Sequence, residues 1–230
     1  MTDGRRGPNG WPTAIVKQAI MKENPPGALP RNVAFPRTRY WALGFLLVWV
    51  PSYARVWGWR NFLFLCDINV FATVLGFWRG SALLLSSQAV GGVLLNAIWT
   101  ADVGARLLTG RHLLGGTEYM WDARYPLEVR LLSLFHIALP VAQLLALRKT
   151  GYDRRGIWLQ MGIVGGALVL SRALGLPEKN PNFAFRDPFF NRSWGPPLAH
   201  LAVTFAAVVV GVILPTHALL SRLYRPARRS

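Results

Sequence analysis

What most constrains this chain is a series of long, nearly uncharged apolar blocks: Asn61 to Trp78, Ala82 to Thr100, Leu131 to Leu147, Gly156 to Ser171 and Pro197 to Leu220. A helix rising ~1.5 Å per residue needs ~20 residues to cross ~30 Å of hydrocarbon, and each block meets or approaches that length. Backbone polar groups find no water there, so a spanning segment satisfies them internally as a helix. Five spans are expected on this ground. A sixth, Tyr40 to Trp57, is clean only from Trp41 to Val50, before Pro51 and Arg55. Proline is tolerated in membrane helices and a terminal arginine can snorkel to the headgroups. The expected fold is all-α: a polytopic membrane helix bundle of about six transmembrane helices, the first one short or re-entrant. The bundle takes residues 40–222, between a polar basic arm at 1–39 and a basic tail at 223–230.

Charged residues make up 16% of the 230, against the roughly quarter usual in soluble domains, so a water-soluble fold would lack polar surface. The formal charge of +16 invites a nucleic-acid reading. The basic residues nevertheless sit in loops and tails rather than in a folded basic domain, and no nucleic-acid motif occurs, so no such partner is expected. Tail residues Arg222, Arg225, Arg228 and Arg229 suit anionic lipid headgroups. The arm holds no continuous apolar run of the kind cleaved from exported chains, so it is expected to be retained; Trp11 to Lys22 has the pattern of a short surface helix. Cys66 is the only cysteine, which excludes an intrachain disulfide.

Orientation follows from the basic residues. With six spans, sixteen of the 26 fall on the tails and even-numbered loops. The short Arg148 to Arg155 turn holds four, as many as the much longer Arg106 to Arg130 segment. By the positive-inside rule both tails are expected in the cytoplasm of a bacterial cell, the protein lying in the inner membrane. Two long connections rich in aromatic residues, about Arg106 to Leu127 and Arg172 to Pro196, then share the outer side. No internal repeat supports an inverted-repeat transporter. Gly91, Gly92, Gly162, Gly165 and Gly166 allow helices to approach closely.

Polar groups inside a membrane are costly, so they are the natural functional candidates. Cys66, Asn69 and Thr73 repeat at helical spacing beside Asp67; Gln88, Gly92 and Asn96 do so ahead of Asp102; Ser133, His136, Pro140 and Gln143 form one face. If the second span starts near Arg60 and the fourth near Glu128, Cys66 and His136 lie about 9 and 12 Å below the same surface. A cysteine beside a histidine is the minimum unit for an activated thiol, with Asp67, Asp102 or Gln143 available to orient the imidazole. The expected catalytic set is Cys66, His136, Asp67 and Asp102, with Asn182 and Gln143 as substrate-binding groups. Against it stands a plainer reading, in which the cysteine is a small apolar filler and the histidine an interhelical hydrogen-bond donor. Haem ligation by His136 with His200, a metal site from His112, Glu118, Asp122 and His136, and a proton path through Asp67 and Asp102 lack a recognised spacing or relay. No cofactor and no metal are expected.

Two segments, Phe64-Leu65-Cys66-Asp67-Ile68 and Leu132-Ser133-Leu134-Phe135-His136, carry a resemblance. With Pro51-Ser52-Tyr53, Trp57-Gly58-Trp59 and Gly151-Tyr152-Asp153-Arg154-Arg155, they resemble a group of bacterial proteins described only as membrane-associated, over most of the chain from about Tyr40. More distantly, the order Leu-Cys-Asp, then a histidine, then Asn180-Pro181-Asn182-Phe183 before the last span resembles the bacterial YwaF-type proteins and the eukaryotic transmembrane protein 164 family. The latter implies a membrane-embedded lipid acyltransferase using a cysteine and a histidine, which fall on Cys66 and His136. The residues around the cysteine differ from that pattern, and Pro181 interrupts the Asn segment. Two functions from different classes follow as expectations: an intramembrane lipid acyltransferase or hydrolase acting on membrane lipids, or a non-catalytic membrane subunit or assembly factor with protein partners.

Overall fold

A computed structural model describes residues 35–227; the expected surface helix at Trp11 to Lys22 lies outside them. These residues form six helical rods: α1 Thr38–Trp57, α2 Leu65–Arg79, α3 Ala82–Thr109, α4 Leu127–Thr150, α5 Gly156–Leu174 and α6 Pro197–Leu223. Among the described residues there is no β-strand, so the all-α fold expected from the apolar blocks is the one observed. Four helices, α3 to α6, are long and apolar enough to cross a membrane. α1 has 20 residues but carries Arg39, Ser52 and Arg55 in its length. α2 has 15 residues, or about 22 Å of helix, short of the hydrocarbon thickness.

The second apolar block therefore does not form the continuous helix its hydropathy suggests. It opens with a 3-10 turn, Trp59–Leu63, and an extended Phe64 at φ −62°, ψ 138° before α2 begins. Cys66 is accordingly the second residue of α2, in its first turn, rather than more than a turn below the helix start.

α3 is the central rod and packs against α2, α4, α5 and α6. Half of its most apolar window is buried within the protein, against about a third in α4 and α5; the lipid-facing sides of the outer helices account for the difference. Ser81 caps α3 by accepting from the Leu84 N–H at 3.3 Å, and Gly80, at φ +57°, makes the left-handed turn out of α2. One apolar core joins Leu85 and Val90 of α3 to Leu147, Ile157, Leu168 and Ile213. A second, aromatic core packs Trp49 and Tyr53 of α1 against Val70, Val129 and Phe135. At the end opposite Cys66, the Tyr152 N–H donates to the Arg225 carbonyl and the Ala227 N–H to the Tyr152 carbonyl, tying the tail to the α4–α5 turn.

Candidate functional site

The break before α2 is made by a residue far along the chain. Asn182 Oδ1 accepts from the Leu65 N–H at 2.7 Å, while its Nδ2 donates to the Leu63 carbonyl at 2.7 Å and to Ser171 Oγ at 2.8 Å. It replaces the helical bonds that a continuous span would have made across Phe64. The loop that aims it is sharply bent: Asn180, Asn182 and Phe183 all have positive φ, a region asparagine tolerates better than most residues. Asn180 holds the bend by accepting from the Phe185 N–H at 2.9 Å and donating to the Arg186 carbonyl at 2.7 Å. Asn182, expected to bind substrate, is thus a buried brace that sets where Cys66 and Asp67 stand.

Cys66 Sγ donates to Asp67 Oδ1 at 3.7 Å, and Asp67 Oδ2 accepts from Asn61 Nδ2 at 2.8 Å. Asp67 is 1% exposed, so its contacts are made inside the protein. Nearby, the Tyr53 hydroxyl lies 2.6 Å from Ser133 Oγ, which also reaches the Val129 carbonyl at 3.3 Å. Tyr119, from the loop, stands beside Ser133 and Trp99, within electrostatic range of Cys66 and Asp67, and burial pushes its phenol above the ordinary value.

His136 reaches the same end of the bundle, but not a hydrogen bond with Cys66. α4 breaks at Ser133 and Leu134: the Ile137 N–H bonds to Leu134 rather than Ser133, and the Ser133 carbonyl accepts both the His136 N–H at 3.1 Å and its Nδ1 at 2.8 Å. The ring is stacked on Trp99, centroids 4.4 Å apart and planes 13° from parallel. Nε2 remains as the nitrogen available for proton transfer. None of the three groups expected to orient the imidazole does so; a backbone carbonyl exposed by the helix break takes that role.

Asp102 and Gln143 are engaged elsewhere. Asp102 Oδ1 accepts from the N–H groups of Leu113 and Leu114 at 2.7 Å and of Gly115 at 3.2 Å, while Oδ2 accepts from His112 Nδ1 at 2.9 Å and from the Thr117 hydroxyl. Gly115 and Gly116, both at φ +85°, supply the bend. The carboxylate shapes the 112–117 loop and is saturated by it. Gln143 Nε2 donates to Asn69 Oδ1 at 2.7 Å and Thr73 Oγ1 at 2.8 Å. Asn69 continues to the Gln88 carbonyl at 2.7 Å, and Gln88 and Ser87 converge on Gln160 Oε1 at 3.3 and 2.9 Å. This belt of amides ties α2, α3, α4 and α5 together. Gly91 and Gly92 make it possible: a Cβ on Gly92 would stand 2.7 Å from the Asn69 amide, and one on Gly91 would run into Gln160.

His200 Nε2 lies 2.9 Å from the Phe183 carbonyl, and its Nδ1 accepts from the Trp194 N–H at 3.2 Å. Both nitrogens are occupied, which removes His200 as a haem ligand in this arrangement. Among the described residues no group of three or more His, Cys, Asp or Glu side chains is placed to hold a metal ion. Three contributors to the Cys66 end were not anticipated. Asn61 was readable as a polar residue six positions ahead of Asp67; the pairing of Tyr53 with Ser133 across 80 residues left no local signal, nor did the inward turn of Tyr119.

Fold and polar interior together define an all-helical protein of the membrane class, with four helices able to span a bilayer. The chain matches no protein-family model, no curated protein and no solved structure.

Proposed function

We propose that the protein is an intramembrane lipid acyltransferase or lipid hydrolase whose nucleophile is Cys66. The observation that carries this reading is the contact of the Cys66 thiol with the carboxylate of Asp67, itself held by Asn61, in a region that also gathers the hydroxyls of Tyr53, Tyr119 and Ser133. A thiol with a proton acceptor in reach is equipped for attack on an ester. The sulfur forms a bond to the ester carbonyl carbon and its proton passes to Asp67 or to His136 Nε2. The C–O bond then breaks, and the departing alcohol takes that proton, leaving a thioester on Cys66. An acceptor hydroxyl or water then attacks the thioester carbonyl carbon; the C–S bond breaks, the acyl group passes to the acceptor oxygen, and the acceptor's proton returns to sulfur. His136 need not touch the thiol at rest, since catalytic contacts often close only with substrate present. An open apolar strip along α4, from Leu134 to Leu145, begins one residue past Ser133 and offers an acyl chain a face to lie against.

In the same reading the protein sits in a bacterial inner membrane with the Cys66 end facing out, because basic residues concentrate at the other end and on the tails. A reporter active only in the cytoplasm, fused at the carboxyl terminus, should work if this orientation is correct and stay silent if it is reversed. The chemistry is tested by comparing membrane lipids from cells carrying wild type, Cys66→Ala and His136→Ala. Wild type should change at least one acyl lipid relative to both variants; identical profiles would sink the enzyme.

One observation favours the rival, a non-catalytic subunit or assembly factor of a larger membrane complex: the side chains of Asn69, Gln88, Gln143 and Gln160 are engaged in bonds between helices. Those groups belong to the belt, which begins one turn along α2 from Cys66, and the bonds of Cys66 and Asp67 run to each other and to Asn61 instead.

A further inference from the structure

Beside the Cys66 end, where α3 finishes and α4 starts, a pocket of about 510 Å³ opens, walled by Arg106, His112, Tyr119, Trp121, Arg124 and Tyr125. Its wall is preorganised. The five donors gathered by Asp102 hold His112 by Nδ1, and the His112 ring meets Trp121 edge-on at 5.4 Å. Tyr119 and Tyr125 are each braced by Trp57 of α1, at 5.6 and 5.8 Å.

The charges in this pocket are unequally committed. Arg124 grips Asp122 through Nε and Nη2 at 2.7 to 3.0 Å, so that pair neutralises itself. Arg106 has no carboxylate within ion-pair distance among the described residues; its guanidinium lies over the Trp121 ring at 5.9 Å. Glu118 accepts from the Gly116 N–H at 2.7 Å through Oε2, leaving Oε1 open. One uncommitted cation and one half-committed anion, set among aromatic faces, match a ligand that carries a negative and a positive group together. The pocket's position at the ends of two membrane-crossing helices puts it at headgroup depth.

We propose that this pocket holds the headgroup of a zwitterionic phospholipid, with the phosphodiester on Arg106 and the ammonium between Glu118 and the Tyr125 ring. This deepens the acyl-transfer reading, on which it rests for its role, by naming the substrate class. Tyr119 belongs both to the pocket wall and to the cluster around Ser133, so a lipid seated here has its ester region beside the reactive groups.

The test is binding to detergent-purified full-length Cys66→Ala protein, in which the proposed chemistry is absent. The probes are short-chain phosphatidylethanolamine, short-chain phosphatidylglycerol and free phosphoethanolamine. Phosphatidylethanolamine should bind more tightly than either of the others. Adding Arg106→Gln should weaken its binding about tenfold, whereas Arg111→Gln, an exposed arginine outside the pocket, should leave it unchanged. Glu118→Gln should erase the preference for phosphatidylethanolamine over phosphatidylglycerol, which keeps the test decisive should Arg106→Gln fail to fold. Equal binding of the two lipids, free phosphoethanolamine binding as tightly as its lipid, or no effect of either substitution overturns the proposal. The two readings fail separately. Loss of the headgroup site with a Cys66-dependent lipid profile intact leaves the enzyme standing, and a normal headgroup site with no Cys66-dependent change leaves a lipid-binding protein that is not an acyltransferase.

Discussion

The amide belt in the middle of the bundle and the polar cluster around Cys66 are built from similar ingredients and behave differently. In the belt, Asn69, Gln88, Gln143 and Gln160 exchange hydrogen bonds across four helices, and glycines in α3 are cut to their shape. Such a network is costly when broken; the amide groups of Asn69, Gln88 and Gln143 that donate in it already have acceptors, and Gln143 Oε1 is its one buried oxygen without a partner among the described residues. At the Cys66 end the strong bonds belong to the scaffold, namely Asn182, Asp102 and the Ser133 carbonyl. The reactive groups have looser ties: a thiol 3.7 Å from its acceptor and an imidazole held by one nitrogen. Polar residues inside a membrane therefore divide by what their atoms are still able to bond, and burial alone does not separate architecture from chemistry.

The largest expected effect is at Asn182. Asn182→Ala leaves the Leu65 N–H, the Leu63 carbonyl and the Ser171 hydroxyl without their partner; orphaned buried groups cost roughly 1–3 kcal/mol each. Unfolding in mixed detergent should shift by several kcal/mol, and any Cys66-dependent lipid change should vanish with it. A variant as stable as wild type would mean that the start of α2 is set by something other than this brace.

Next come the belt's glycines. Gly91→Ala drives a methyl into the Gln160 amide, and Gly156→Ala places one 2.8 Å from the Ser87 backbone nitrogen. Both should destabilise by about 1–3 kcal/mol, measured as a lower thermal midpoint in detergent. Gly162→Ala meets nothing within 4 Å and should be neutral or gain up to about 1 kcal/mol from helix propensity. If all three behave alike, the glycines are not niches for the belt.

How much of this was legible in the sequence depends on the distance between cause and effect. Helices α3 to α6 follow from local apolar runs. The faces Asn69/Thr73, Gln88 and Gln143 follow from helical spacing and do meet in one network. The early part of α2 departs from its apolar run because its break is imposed by Asn182, 117 residues away, and hydropathy cannot register a side chain that replaces a helical hydrogen bond. Asp102 looked reactive by its depth; what consumes it is a loop bent at Gly115 and Gly116. Counting turns puts Cys66 and His136 at one end, where they are found. Their failure to bond arises from the Ser133 break and the Trp99 stack, neither of which has a periodicity to read.

The smallest stability effect should accompany the greatest loss of function. Cys66→Ala removes one partly buried sulfur and a weak bond to Asp67, while Asn61 still satisfies the carboxylate. The belt, α3 and the Asn182 brace are untouched. Stability should therefore change by no more than about 1 kcal/mol, within the ordinary range for a substitution that creates little cavity, while the lipid profile becomes that of cells lacking the protein. The contrast between belt and site rests on this pairing. If Cys66→Ala unfolds the protein as readily as Gly91→Ala, the cysteine is packing material and the two regions are one architecture; if it leaves both stability and lipids unchanged, the loosely bonded groups at this end have no chemistry to perform.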